Sequence, residues 1–267
     1  MADHDRDPQR HLSTAAEAIA SERRKCQAEK TALRQFRSRL RDFADDTTPD
    51  LSVHATTHGT GRPAGTTTAR AGTTTQRVGR VQRRIRTAYA ETVMATDAAT
   101  ELEDVPAEHM AAELGPDIST AVYVSSDPPP NLLTMIDRAT ANLIAAREKV
   151  VRKLDDECSI VETMGEQVAR IGEEVDSIES AYPALSFHEL TTSHRRLGEL
   201  RDECTTIADR RQSEFHSKFV GQYTRFEWAE YLYSDCPVTH PILAALAELV
   251  EVIDDLRKTL SRDIATV

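Results

Sequence analysis

The sequence predicts an all-α protein: a long antiparallel helical hairpin, or coiled-coil bundle, with a small helical head. Three observations carry that prediction. Apolar residues recur every seven positions in three separate stretches, the period of helices packed along a shared seam. A proline-containing turn breaks the longest of these stretches into an outgoing and a returning arm. Hydrophobic residues make up 39% of the chain and aromatic residues only 5%, which suits extended helices better than a compact enzyme core.

The hairpin spans residues 131–215. Ile136, Leu143 and Val150, then Leu154, Val161, Val168, Val175 and Tyr182, advance by sevens, with one step of four between Val150 and Leu154. Such a stutter locally unwinds a coiled coil without breaking the helix. Ala139, Ala146, Met164, Ile171 and Ile178 complete the seam. At ~1.5 Å per residue the outgoing helix reaches roughly 75 Å. Tyr182-Pro183-Ala184-Leu185-Ser186 ends it, because proline disfavours helix at the preceding residue and serine is a good N-cap. The returning helix sets Leu190, Leu197, Cys204 and Arg211 in one column, with Leu200, Ile207 and Glu214 in the other.

Residues 1–44 form an N-terminal heptad helix behind a polar, fraying start at Met1 to Gln9. Leu12, Ile19, Cys26, Leu33 and Leu40 make its main column, beside Ala15, Phe36 and Phe43, while Glu22 and Glu29 thin the seam in its middle. Residues 45–76 are rich in Thr and Gly and nearly devoid of large apolar side chains. They cannot offset the entropy of ordering and are expected to be a flexible linker.

Order returns at residue 77. Val78, Val81, Ile85, Ala88, Tyr89 and Thr92 share one helical face, and Arg80 and Arg83 lie opposite, flanked by Arg77 and Arg84. Pro106 to Gly115-Pro116 has the form of a short helix with proline at its start and Gly-Pro at its end. Val122-Tyr123-Val124 reads as a short strand or extended turn, and Asp127-Pro128-Pro129-Pro130 as a rigid stop before the hairpin. Phe215, Phe219, Tyr223, Phe226, Trp228, Tyr231 and Tyr233 concentrate seven of the 13 aromatics in 19 residues. Residues 77–130 and 216–240 are therefore expected to build one helical head around this cluster. Residues 241–267 close the chain as a C-terminal heptad helix, with Ile242, Leu249 and Leu256 in one column and Leu246, Ile253, Leu260 and Val267 in the other. Both terminal helices must bury their seams, against the hairpin or against a second copy of the chain.

No residue acquires a catalytic, cofactor-binding or metal-ligating role. His54 and His58 are four apart but lie in the linker, where no helix would align them. His109 and Glu113 have helical spacing without a second pair nearby, and Cys236-x3-His240 is a lone half-site. Cys158 and Cys204 lie at similar distances from the Pro183 turn, so the hairpin brings them to similar heights. They read as two buried small residues, with a redox pair as the alternative. A nucleophile elbow and a Gly-rich phosphate loop are both missing, and no cofactor is expected.

Formal net charge is −11, and six lysines stand against 27 arginines. An acidic, lysine-poor surface is the pattern of a protein in molar salt, although GC-rich coding produces the arginine bias by itself. Residues 1–95 carry net +6 and residues 96–267 net −17, so the basic part has an acidic partner within its own chain. The chain shows neither a leader segment nor an apolar run near 18 residues, which points to a cytoplasmic protein outside membranes.

Ala88-Tyr89-Ala90-Glu91-Thr92-Val93-Met94, Glu108-His109-Met110-Ala111-Ala112-Glu113-Leu114-Gly115, and Tyr233 with Pro237-Val238-Thr239-His240-Pro241-Ile242-Leu243 resemble an uncharacterised haloarchaeal family of helical, coiled-coil-rich proteins. The resemblance implies a salt-adapted cytoplasmic setting and no functional residue. The expected function is that of a non-enzymatic interaction or scaffold protein with a protein partner or self-association. The alternative is a nucleic-acid-associated regulator using Arg80, Arg83, Arg84 and the basic N-terminal helix.

Overall fold

The computed structural model describes residues 7–45, 68–96, 105–216 and 225–266. Among these residues the chain is all-α and contains no strand. The helices are α1 (Pro8–Asp45), α2 (Thr68–Thr92), α3 (Pro106–Leu114), α4 (Pro116–Tyr123), α5 (Leu132–Ala181), α6 (Phe187–His216), α7 (Arg225–Leu232) and α8 (Pro241–Ile264), with one 3-10 turn at Tyr182–Ala184 between α5 and α6. The chain divides into two compact units, Arg24–Arg152 and Met1–Arg23 with Lys153–Val267.

Unit Arg24–Arg152 is organised around the heptad column of α1. Leu33, Phe36 and Leu40 pack with Ile85, Ala88 and Tyr89 of α2, Met110 and Leu114 of α3, Ile118, Ala121 and Val122 of α4, and Leu132 and Ile136 of α5. Phe36 and Tyr89 meet edge to face at 5.2 Å between ring centroids, the favoured geometry for two quadrupoles. Gly115 ends α3 at φ 104°, a left-handed conformation that side chains resist, and Pro116 then opens α4.

Two expectations change here. Val122 and Tyr123 lie in helix α4 rather than in a strand or extended turn. Ile118, Ala121 and Val122 bury one face of that helix, and this packing outweighs the small extended preference of the β-branched residue. The Gln82 side-chain amide donates to the carbonyls of Ala121 at 2.7 Å and Ser125 at 2.8 Å, satisfying acceptors at the end of α4. Helix α2 begins at Thr68, inside the stretch expected to be linker, and the linker residues 46–67 lie outside the described residues. Each residue added to an existing helix gains a backbone hydrogen bond, so a packed helix extends through poor helix formers.

The stutter in α5 is also realised differently. Val151, not Val150, is the buried residue there. The face advances by fours through Leu143, Arg147 and Val151 before the seven-residue pattern resumes at Leu154.

Unit Met1–Arg23 with Lys153–Val267 contains the hairpin seam. Leu154, Val161, Met164, Val168, Ile171 and Val175 of α5 are buried, as are Leu190, Leu197, Leu200, Cys204 and Ile207 of α6. Ser186 precedes α6, and its backbone N–H donates to Glu189 at 2.7 Å, half of a capping box. The C-terminal helix and the first part of α1, up to Arg23, bury their seams within this unit. Leu12 of α1 lies against Gly165 of α5, and His11 Nε2 is 2.9 Å from Glu248 Oε1 of α8. Helix α8 packs along α6 and buries Ile242, Leu246, Leu249, Ile253, Leu256 and Leu260; Val267 lies outside the described residues. Arg201 of α6 donates to Asp254 of α8 at 3.0 Å.

Of the stretches expected to build one head, the described residues of 77–130 belong to unit Arg24–Arg152 and those of 216–240 to the unit that contains Lys153–Val267. The reason is local: Ala229, Leu232 and Tyr233 are buried, and Tyr233 is hydrogen-bonded to Glu157 of the hairpin.

Candidate functional site

One level of the hairpin seam is ionic. Glu157 stands one heptad before Met164 in the column that continues to Ile171 and Ile178, and Arg211 extends the column of Leu190, Leu197 and Cys204. The arms run antiparallel, with Glu157 meeting Arg211, Arg170 meeting Glu203 and Glu174 meeting Arg196. Arg211 is 3% exposed, Glu157 7% and Tyr233 1%. The Arg211 guanidinium spans both carboxylate oxygens of Glu157, with Nη1 3.3 Å from Oε2 and Nη2 on Oε1. It also reaches Glu214 at 3.4 Å. The Tyr233 hydroxyl donates to Glu157 Oε1 at 2.8 Å.

Burial disfavours the charge on Arg211, but the Glu157 carboxylate outweighs it and holds the guanidinium protonated above its ordinary range. Burial, reinforced by the same carboxylate, pushes the Tyr233 hydroxyl far above the usual phenol value. The cluster therefore consists of one buried ion pair and one neutral donor. Sequence reasoning placed Arg211 in the seam but missed Glu157. The available signal was that both columns turn polar at the same distance from the turn.

The aromatic segment attaches at this level. Trp228 and Tyr231 of α7 meet in a tilted arrangement, 5.8 Å between centroids and 34° between ring planes, and Lys153 Nζ sits 5.3 Å from the Trp228 ring centroid. Tyr231 is 57% exposed, and its hydroxyl donates to Glu22 Oε1 at 2.6 Å. Glu22 is one of the polar residues that thin the α1 seam, so the interruption has a partner. In the other unit Glu29 is likewise met, by Arg147 at 2.5 Å, and Arg147 also donates to Glu113 at 3.1 Å. Phe219 and Tyr223 lie outside the described residues, as do the side chains of Phe215 and Phe226.

On α2, Arg80 and Arg83 are exposed. Arg84 stacks over Phe43 at 4.1 Å and Arg86 over Tyr123 at 5.5 Å; the Arg77 side chain is outside the described set. Much of the basic charge of α1 is matched by later acids. Arg23 pairs with Asp155 at 2.7 Å, Arg34 with Glu148 at 2.6 Å, and Arg37 and Arg41 with Asp137 at 2.7 and 3.5 Å.

The remaining candidates separate. His54 and His58 lie outside the described residues. His109 Nδ1 is 2.7 Å from the Tyr89 hydroxyl while Glu113 serves Arg147, so the two share no centre. Cys236 donates its backbone N–H to Tyr233 O at 3.0 Å, and His240 precedes α8 without a side-chain capping bond. All four cysteines are free thiols. Cys204 lies in the seam, and burial pushes its thiol up to about 11. Cys158 is beside the seam, and its thiol donates to Glu162 at 3.3 Å. Cys204 is buried and Cys158 half-buried, and neither is disulfide-bonded.

Among the described residues no helix is long and apolar enough to cross a membrane, and no group of three His, Cys, Asp or Glu side chains is arranged to hold a metal ion. No curated protein and no solved structure matches the chain. The model of one family, described as Domain of unknown function (DUF7260), matches residues 10–257; the chain belongs to that family.

Proposed function

We propose that this chain is a non-enzymatic helical interaction or scaffold protein of a salt-rich cytoplasm, with a protein partner or a second copy as its ligand. One observation carries the reading: the Trp228–Tyr231 pair is held on the outside of the hairpin, with Tyr231 57% exposed. Trp and Tyr are the residue types that dominate binding hot spots. The surrounding helices hold this pair on a rigid support, since their columns are buried within the chain.

A second reading rests on Arg80 and Arg83, exposed on the α2 face opposite Ile85 and Tyr89. Such a face can contact nucleic-acid phosphates. In molar salt the screening length falls to ~3 Å, so charge alone would bind weakly there, and the protein-partner reading is preferred.

The test is affinity capture of the tagged chain from its native cytoplasm at native salt, with protein identification and nucleic-acid quantification. Trp228→Ala/Tyr231→Ala and Arg80→Gln/Arg83→Gln variants run in parallel. A stoichiometric protein retained by the wild type and lost from the aromatic variant is the expected result. Nucleic acid retained by the wild type and lost from the arginine variant would move the assignment to the second reading. Partners recovered equally by all three proteins would refute both.

A further inference from the structure

We propose that α7 is a self-association surface, whose carboxylate- and aromatic-bearing outer face receives the Arg80–Arg83 edge of α2 from a second copy of this chain. The proposal rests on the protein-partner reading of the Trp228–Tyr231 pair and names the second copy as the ligand.

On α7, Ala229 and Leu232 turn inward and are buried. At about 100° per residue that leaves Glu227, Glu230 and Tyr231 on the outer side, all exposed, with Trp228 half-buried at its edge. The Tyr231 ring is held in place, because its hydroxyl donates to Glu22 at 2.6 Å. Asp235, just beyond the helix, is exposed as well. Carboxylates beside aromatic rings suit a guanidinium, which pairs with the first and stacks on the second. One ring already receives a cation, since Lys153 Nζ lies 5.3 Å from the Trp228 centroid. The same carboxylates repel phosphate, so a nucleic acid fits this face poorly.

The complementary edge lies on α2. Most arginines of this region are already engaged: Arg84 lies over Phe43 and Arg86 over Tyr123, while Arg34, Arg37, Arg39 and Arg41 of α1 meet acids. Arg80 and Arg83, exposed in one stripe with Thr87, have neither a ring nor an acid among the described residues. Glu230 and Asp235 make no ion pair there either. The two sets therefore do not meet within one chain, and a second copy can bring them together. Arg80 and Arg83 stand three residues apart, about 5–6 Å between Cβ atoms, the same spacing as Glu227 to Glu230 and Trp228 to Tyr231. The charge asymmetry has the required sign, net +6 over residues 1–95 and −17 over residues 96–267. Every copy carries both faces, the condition for a heterologous contact between identical chains.

Single surface ion pairs and cation–π contacts are weak, so sedimentation equilibrium of the full chain is run up to about 1 mM. The buffer is the lowest salt that keeps the full helical circular dichroism. The expected result is a reversible rise in mass with concentration. Arg80→Glu/Arg83→Glu and Glu230→Arg/Asp235→Arg oppose like charges and should each weaken association about tenfold or more. An equimolar mixture of the two variants should restore it, because every swapped face then meets its complement. Tyr231→Ala should weaken it about twofold to fivefold. Unchanged dichroism of each variant separates lost association from lost folding. A wild type that stays monomeric, or a mixture no stronger than either variant alone, would overturn the proposal. A monomeric chain that still captures a protein through Trp228 and Tyr231 would overturn it while leaving the protein-partner reading in place. Nucleic acid held by Arg80 and Arg83 of a monomeric chain would overturn it in favour of the second reading.

Discussion

Replacing Arg211 with Met tests the ionic level directly. The substitution keeps an unbranched, helix-compatible side chain in the column but removes the cation from beside Glu157, which is only 7% exposed. Tyr233 then remains as a neutral donor to that carboxylate. Breaking a buried pair by removing one partner costs about 3–5 kcal/mol, roughly a hundredfold to several thousandfold in the unfolding equilibrium. Against a total stability of about 5–15 kcal/mol for a natural domain, that loss is large. Glu157→Met/Arg211→Met removes both charges and should recover most of it, since apolar replacement of a buried pair is about neutral or stabilising by up to ~4 kcal/mol. The Tyr233 hydroxyl loses its acceptor in that background, so adding Tyr233→Phe should bring a further gain of about 1–3 kcal/mol. The assay is urea denaturation followed by circular dichroism, completed as a double-mutant cycle at about 0.15 M and about 2 M salt. Because Arg211 and Glu157 are shielded from solvent, their coupling should change little with ionic strength. A single variant within about 1 kcal/mol of the wild type, or a coupling that vanishes at high salt, would refute the reasoning.

Three further outcomes follow from the same geometry. Gly115→Ala should lower stability by about 1–3 kcal/mol from backbone strain alone, because φ is 104° and an added Cβ meets nothing within 4 Å; urea unfolding measures it. At pH 8 a thiol-alkylating reagent should modify Cys158 and Cys236 well before Cys204, whose thiol burial pushes up to about 11, with peptide mass mapping as the readout. Rapid labelling of Cys204 would contradict its place in the seam. The hydrogen bond from Arg37 holds the Asp137 carboxyl below its ordinary value of 3.8, so its contribution is present above that value and fades as pH falls through the folded one. Asp137→Asn should therefore cost under about 1 kcal/mol at pH 7, the range of a partly exposed pair, and the difference from wild type should shrink as pH falls below 3.8 in acid titrations of stability.

The heptad columns were legible because a helix seam is a one-dimensional pattern. Leu12, Ile19, Cys26, Leu33 and Leu40 recur by seven and are all buried, as is the Leu246, Ile253, Leu260 column of α8. The turn at Tyr182-Pro183 was legible for the same reason, since proline acts on its immediate neighbours. Val122 and Tyr123 were misread because their local preference is small beside the burial that α4 gains against the core of its unit. The aromatic cluster was visible as composition, but not that Tyr233 would turn into the seam while Tyr231 stays exposed two residues away.

By itself the sequence determined the helices, their apolar faces, the hairpin and the complementarity between a basic N-terminal part and an acidic remainder. Each of these follows from spacing along the chain or from charge counts, which need no neighbour to define them. Only the tertiary structure decided that the terminal helices bury their seams in-chain and that residues 77–130 and 216–240 belong to separate units. It alone brought Glu157, Arg211 and Tyr233 to one level. Those are choices among partners distant in sequence, made by which faces meet and which buried charges are neutralised, and the spacing of one helix does not carry that information.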